Sequence, residues 1–122
     1  MPKILIVDDS NMLRDMVKYA LNEGGYPEVD EGIDGVDGLS KAKATQYDLI
    51  VTDINMPNMN GFELIANLRQ MPVYAKTPIL TLTTEKTDDM KAKGKEVGAT
   101  GWIVKPFAPE QLLKAVSVVL SR

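Results

Sequence analysis

Short apolar runs alternate with longer amphipathic segments along this chain. Runs such as Ile4–Val7 and Leu49–Val51 are typical of buried strands, and the segments between the runs repeat apolar residues at helical spacing. Strands that alternate with helices predict a parallel sheet covered by helices on both faces. The predicted strands cover about residues 3–8, 27–31, 48–53, 78–83 and 100–104. The predicted helices follow these strands: one from its N-cap Ser10 to Gly24-Gly25, then about 35–45, 62–68 and 87–97, and the last from Pro109.

The fourth predicted helix differs from the others. Its apolar stripe is thin, four lysines crowd it, and Gly94 in its interior costs about 1 kcal/mol relative to alanine. The segment is therefore either a solvated surface helix or a marginally stable element that shifts or binds a partner, and the two interpretations are compatible. The residues predicted to face the core include Leu13, Met16, Val17, Ala20 and Leu21 in helix 1, Val36, Leu39 and Ala42 in helix 2, and Met90, Ala92 and Val97 in helix 4.

Composition narrows the function classes. The 122 residues are 44% hydrophobic, so residues 1–122 are predicted to form one domain with a proper core. The chain has no cysteine and no histidine, which excludes thiolate chemistry, the usual zinc ligands and a phosphohistidine on this chain. A net charge of −3 argues against nucleic-acid binding. The start of the chain leads directly into a strand and no apolar run reaches transmembrane length, so we expect no membrane partner and a cytoplasmic location.

Polar side chains follow four of the predicted strands. Asp8 and Asp9 follow strand 1, Asp53 follows strand 3, Thr83 closes strand 4 and Lys105 follows strand 5. The carboxyl ends of parallel strands share one edge of a sheet, where ligands bind. Three carboxylates, a hydroxyl and an ammonium group at one site suit a divalent cation and a phosphoryl group.

This set of residues indicates a magnesium-dependent phosphoryl site with Asp53 as the candidate nucleophile. Mg²⁺ takes a few carboxylates and completes its shell with water and substrate oxygens. Carboxylates form aspartyl-phosphates in several phosphoryl-transfer systems, and such transfer needs mainly positioning and charge neutralisation. Taken singly, these residues have ordinary explanations: an Asp-Asp pair caps a helix, a lysine snorkels at a strand end, and a threonine forms strands. Thr81 and Thr84 are alternatives to the hydroxyl of Thr83.

Four motifs follow the predicted strands in order: Val7-Asp8-Asp9-Ser10, Asp53-Ile54-Asn55-Met56-Pro57 with Asn60-Gly61, Leu82-Thr83-Thr84-Glu85, and Lys105-Pro106-Phe107. Together they resemble the receiver domains of two-component response regulators, and more narrowly the single-domain chemotaxis regulators of the CheY type. The resemblance covers the whole chain and implies a flavodoxin-like sheet of five parallel strands in the order 2-1-3-4-5. It also implies a cis Lys105–Pro106 peptide.

The resemblance also implies a role for each matching residue. Asp53 would accept phosphate from the phosphohistidine of a sensor histidine kinase. Thr83 and Lys105 would bind the phosphoryl group, and Trp102 would be the aromatic switch residue, with a Trp half-buried on the surface as the alternative. The Mg²⁺ ligands would be Asp9, Asp53 and the backbone carbonyl of Asn55, with Asp8 acting mostly through water. The positions that tune phosphate lifetime would be Asn55 and Glu85.

The function predicted from this resemblance is that of a stand-alone response regulator. Phosphorylation would switch the face formed by helix 4, strand 5 and helix 5 to bind a target, in chemotaxis a flagellar motor switch, and a phosphatase is a further partner. The chain would catalyse only its own phosphorylation and dephosphorylation. A phosphate sink and a relay intermediate are alternatives within the same class. A magnesium-dependent phosphatase of the haloacid dehalogenase type is a weaker alternative, because Asp53-Ile54-Asn55 lacks that family's second aspartate. A flavodoxin-like electron carrier would need a phosphate-binding loop where Asp8-Asp9 stands.

Overall fold

All five predicted strands join one parallel sheet. The computed structural model of the chain describes residues 1–121, and its strand order is β2-β1-β3-β4-β5. The strands are β1 (Ile4–Val7), β2 (Val29–Gly32), β3 (Leu49–Thr52), β4 (Ile79–Thr83) and β5 (Gly101–Val104). The helices are α1 (Asn11–Glu23), α2 (Gly35–Ala44), α3 (Gly61–Arg69), α4 (Asp88–Val97) and α5 (Pro109–Leu120), with a short 3-10 turn over Pro72–Tyr74. The predicted fold class and strand order are confirmed.

The sheet separates two apolar layers. Alternate residues of β1 point to opposite faces, so Ile4 packs with α1 and α5, while Leu5 packs with α2 and α3. Every residue of β1, β3 and β4 is buried. Strands covered on both faces read as continuous apolar runs, which is why these three were clear in the sequence.

Side-chain hydrogen bonds cap the starts of α1 and α3. The Ser10 hydroxyl accepts a hydrogen bond from the Leu13 N–H at 3.2 Å, as predicted for an N-cap. Asn60 and Glu63 exchange side-chain to backbone bonds at the start of α3, in a capping box. These caps set where α1 and α3 begin, directly after the loops that carry the acidic residues.

Three apolar residues predicted to face the core are exposed instead. Met16 lies one position from the buried stripe of α1 and points outward. Val36 points outward because α2 approaches the sheet through glycines: a Cβ on Gly38 would stand 2.8 Å from a methyl group of Val7. Ala92 is exposed because α4 packs through Gly94, the one residue of this helix that is buried, and Ala92 does not lie on that side.

Within residues 1–121, no helix combines the length and apolar character needed to cross a bilayer.

Candidate functional site

The acidic residues meet at the carboxyl edge of the sheet. β1 and β3 are neighbours in register, with Val7 opposite Thr52, so the residues that follow them lie side by side. Asp8, Asp9 and Asp53 each place a carboxylate oxygen within 4.8 Å of the other two. Three oxygen donors and no nitrogen or sulfur donor suit a hard cation such as Mg²⁺.

Lys105 reaches into this cluster from β5. Its Nζ donates to Asp8 Oδ2 at 3.0 Å and to Asp53 Oδ2 at 3.2 Å, and its backbone N–H donates to the Thr83 carbonyl at 2.8 Å. The Lys105–Pro106 peptide is cis, as the family resemblance implied. One ammonium group therefore faces two carboxylates that are distant in sequence: Asp8 lies 97 positions and Asp53 lies 52 positions before Lys105.

Burial dominates the electrostatics of Asp8. Removal from water raises the pKa of its carboxyl group, since a buried site disfavours the charged form. The backbone N–H of Ser10, at 2.8 Å, and the Lys105 ammonium oppose that rise. The charged form of the Asp8 carboxyl group is therefore less favourable in the folded protein than in water.

Both carboxylate oxygens of Asp53 accept hydrogen bonds. Oδ1 accepts the Ile54 N–H at 2.6 Å, and Oδ2 accepts from Lys105 Nζ at 3.2 Å. The side chain is only 10% exposed, so approach to it is confined to the open edge of the site.

Thr83, Asn55 and Glu85 lie on the β4 side of the site and are connected. The fully buried Thr83 hydroxyl accepts the Glu85 N–H at 3.3 Å, and Asn55 Nδ2 donates to Glu85 Oε1 at 2.8 Å. The sequence analysis assigned Asn55 and Glu85 to the same site, but it did not predict the hydrogen bond between them. Of the alternatives to Thr83, Thr81 donates to the Gly101 carbonyl and Thr84 is exposed.

Trp102 is hydrogen-bonded to the loop that follows β4. Its indole N–H donates to the Glu85 carbonyl at 2.8 Å, and its ring stacks on Phe62 with centroids 6.2 Å apart. Gly94 makes room for it, because a Cβ there would stand 2.4 Å from Trp102 Cζ3. The helix-breaking glycine noted in the sequence therefore has a packing reason. The side chain is half-buried, and its proposed switching stays a prediction.

Sequence reasoning missed Arg14. This arginine is buried, and its guanidinium donates to the backbone carbonyl of Asp8, to Asn11 Oδ1 and to Glu31 Oε1. It therefore supports the turn that carries Asp8. A charged residue between Leu13 and Val17, inside the apolar stripe of α1, was the signal that could have revealed it.

Comparisons with known proteins agree with this geometry. Residues 4–117 match the family model of the response regulator receiver domain. The chemotaxis protein CheY-3 of Vibrio cholerae is 35% identical over 120 residues, which are 98% of this chain and 92% of that protein. The response regulator ArlR of Staphylococcus aureus is 38% identical over 122 residues, all of this chain but 54% of ArlR. The crystal structure of Vibrio cholerae CheY4 superposes with a TM-score of 0.93 at 50% identity and covers 98% of both chains.

Proposed function

Because this chain belongs to the response regulator receiver domain family, we propose that it accepts a phosphoryl group on Asp53 from a sensor histidine kinase. The observation that carries the proposal is the position of Asp53. Its Oδ2 lies 3.2 Å from the Lys105 ammonium, and its carboxylate lies within reach of the two acidic residues that follow β1. Carboxylates this close to one another favour a bound cation, which balances their charge and would also balance the negative charge of an incoming phosphoryl group.

In the proposed transfer, a carboxylate oxygen of Asp53 forms a bond to phosphorus. The bond between phosphorus and the donor's imidazole nitrogen breaks, and the departing imidazole takes up a proton. Lys105 balances charge on the phosphoryl oxygens, and the Thr83 hydroxyl donates one hydrogen bond to them. Positioning and charge balance of this kind account for most of the catalysis in phosphoryl transfer.

The acidic cluster is the proposed Mg²⁺ site, since receiver domains bind this ion in an acidic pocket. Asp9, Asp53 and the backbone carbonyl of Asn55 would ligate it directly, with Asp8 acting mostly through water. When bound, the ion supplies positive charge against the phosphoryl oxygens. Few protein ligands converge here, so we expect weak binding with water in the remaining positions.

The proposed output is a change on the face formed by α4, β5 and α5. Trp102 connects that face to the phosphoryl site through its bond to the Glu85 carbonyl, 2.8 Å long. A protein target would bind there, and similarity to CheY-3 and CheY4 supports a role in chemotaxis. The proposed target within that role is a flagellar motor switch. A phosphatase that removes the phosphoryl group is a further proposed partner.

Within this proposal, residues 1–122 act as one receiver unit whose only catalysis is on its own phosphoryl group. The phosphate sink and the relay intermediate remain alternatives for its output. The cytoplasmic location stays a prediction from the sequence.

The proposal is tested by replacing Asp53 with asparagine. The parent protein, incubated with Mg²⁺ and acetyl phosphate, should gain one phosphoryl group in an intact-mass measurement, and Asp53→Asn should gain none. Asp48→Asn is the matched control, because Asp48 precedes β3 at the opposite edge of the sheet and should leave phosphorylation unchanged. Labelling of Asp53→Asn at the parent level would refute the assignment.

A further inference from the structure

The loop between β3 and α3 contains a strained turn. Asn58 has a φ of 71°, and within residues 1–121 it is the single non-glycine residue with positive φ. The Met59 N–H donates to the Pro57 carbonyl at 2.8 Å, across Asn58. A hydrogen bond between residues two apart around a residue with positive φ defines the rare, strained form of γ-turn. Such strain persists only where the surroundings hold it, and it clusters at functional sites.

A carboxylate from another loop holds this turn in place. Asn58 Nδ2 donates to Asp34 Oδ2 at 2.8 Å. The other oxygen of Asp34 accepts the Asp37 N–H at 2.8 Å and caps α2. These two bonds, the one from Asp37 first, hold the pKa of Asp34 below its usual range, so the acceptor is ionised at neutral pH. One side chain thus ties the γ-turn to the start of a helix.

Two glycines allow the other close contacts of the loop between β3 and α3. A Cβ on Gly35 would stand 2.3 Å from the Met59 carbonyl oxygen, so the start of α2 lies directly against the turn. A Cβ on Gly61 would stand 2.2 Å from the Asp53 carbonyl oxygen, and the Gly61 N–H donates to the Ile54 carbonyl. The loop is therefore held at its base by Gly61 and at its tip by Asp34. Asn55, whose carbonyl is a proposed Mg²⁺ ligand, lies between these two points.

We propose that Asp34 is a positioning residue for the metal site: by holding Asn58 in the γ-turn, it orients the segment that carries the Asn55 carbonyl. This inference rests on the proposed Mg²⁺-dependent function. It assigns a role to a residue outside the acidic cluster, on a loop from which no ligand is proposed. If Asp34 served only to cap α2, its loss would lower stability and leave ion binding unchanged.

The first test separates positioning from helix capping. In Asp34→Ser, the hydroxyl still caps α2 but is too short to reach Asn58. Calorimetric titration of the ion-free protein should show Mg²⁺ binding weakened by about tenfold, the lower end of the range for outer partners of metal ligands. Asp48→Ser is the matched control, since the Asp48 carboxylate also accepts a backbone N–H, from Lys3 at 2.8 Å, but at the opposite edge of the sheet. It should bind Mg²⁺ as the parent does.

The second test asks whether Asp34 acts through Asn58. Asn58→Gly accepts the positive φ but lacks the amide donor. Mg²⁺ binding should weaken in Asn58→Gly, and adding Asp34→Ser should weaken it no further, because the contact is already lost. Independent, additive losses would overturn the inference.

The remaining outcomes also decide between the proposals. Parent-like Mg²⁺ affinity in a folded Asp34→Ser protein would overturn the inference alone. If circular dichroism shows that Asp34→Ser is unfolded, Asn58→Gly decides: a tenfold loss supports the inference, and an unchanged affinity overturns it. A parent protein that binds no Mg²⁺ would overturn the proposed metal site and the inference with it.

Discussion

The ends of β1 and β3 are built differently from the region of α4 and β5. β1 and β3 each have a strand on both sides and bury every residue, and Asp8 and Asp53 follow them directly. β5 is an edge strand of mostly half-buried residues, and α4 buries one glycine. The proposed chemistry therefore lies at the ends of fully buried strands, and the face proposed to respond lies on a weakly buried strand and helix. A well-packed site beside a weakly packed responding face suits the proposed phosphorylation switch.

Removing Lys105 should have the largest effect on phosphorylation. The effect should be confined to the site at the ends of β1 and β3. Lys105→Ala deletes the cation that faces Asp8 and Asp53, so phosphorylation by acetyl phosphate should slow by about 100-fold. Lys43→Ala, an exposed lysine of α2, should leave the rate unchanged. A parent-like phosphorylation rate in Lys105→Ala would show that this lysine does not take part in phosphoryl transfer.

Replacing Asp8 should make the ion-free protein more stable and less able to bind metal. Asp8→Asn removes a buried charge whose ionised form burial disfavours, so the ion-free protein should unfold at a higher urea concentration. Urea unfolding in a chelator measures the gain, and calorimetry should show weaker Mg²⁺ binding. A loss of stability would contradict the conclusion that burial disfavours the charged form of Asp8.

The same carboxyl group predicts a pH dependence. Burial raises the pKa of Asp8 above its ordinary value of 3.8, so the folded protein keeps this proton where the unfolded chain has released it. The stability from this group is full below that value and is lost as pH rises through the raised pKa. The ion-free parent should therefore lose stability relative to Asp8→Asn from about pH 4 upward.

Gly94→Ala should affect the α4–β5 region and leave the chemistry intact. The added methyl group meets Trp102 and should cost about 1 kcal/mol in unfolding free energy despite alanine's better helix propensity. The tryptophan emission should shift, while phosphorylation continues at the parent rate. Ala92→Gly, at an exposed position of the same helix, should cost a similar amount without a change in emission.

Trp102→Phe should have the smallest effect. It keeps an aromatic ring beside Phe62 and removes the hydrogen bond to the Glu85 carbonyl, at a cost of about 0.5 kcal/mol. Thermal unfolding measures this cost. A larger loss would mean that the indole N–H is a principal support of the loop after β4.

The apolar pattern predicted the strands, and the family resemblance implied their order. Continuous apolar runs indicate buried parallel strands, and side chains that follow such strands share one edge, where the structure brings Asp8, Asp9, Asp53 and Lys105 together. The apolar pattern placed Met16 and Val36 wrongly, because spacing alone does not tell which side of a helix meets the sheet.

The sequence pattern does not predict contacts between loops. The bond from Asn58 to Asp34 and the bond from Asn55 to Glu85 join residues 24 and 30 positions apart, with no periodic signal. Arg14 was missed for a related reason, since two of its three partners come from the turn after β1 and from β2. These contacts depend on the folded sheet to bring the loops together.

Locating the phosphoryl group tests the central claim most directly. The parent protein should be phosphorylated with acetyl phosphate and Mg²⁺, digested at acidic pH and sequenced by tandem mass spectrometry. The account predicts the added phosphoryl mass on Asp53, and none on Asp8 or Asp9. A phosphoryl group on any other residue, with Asp53 unmodified, would contradict it.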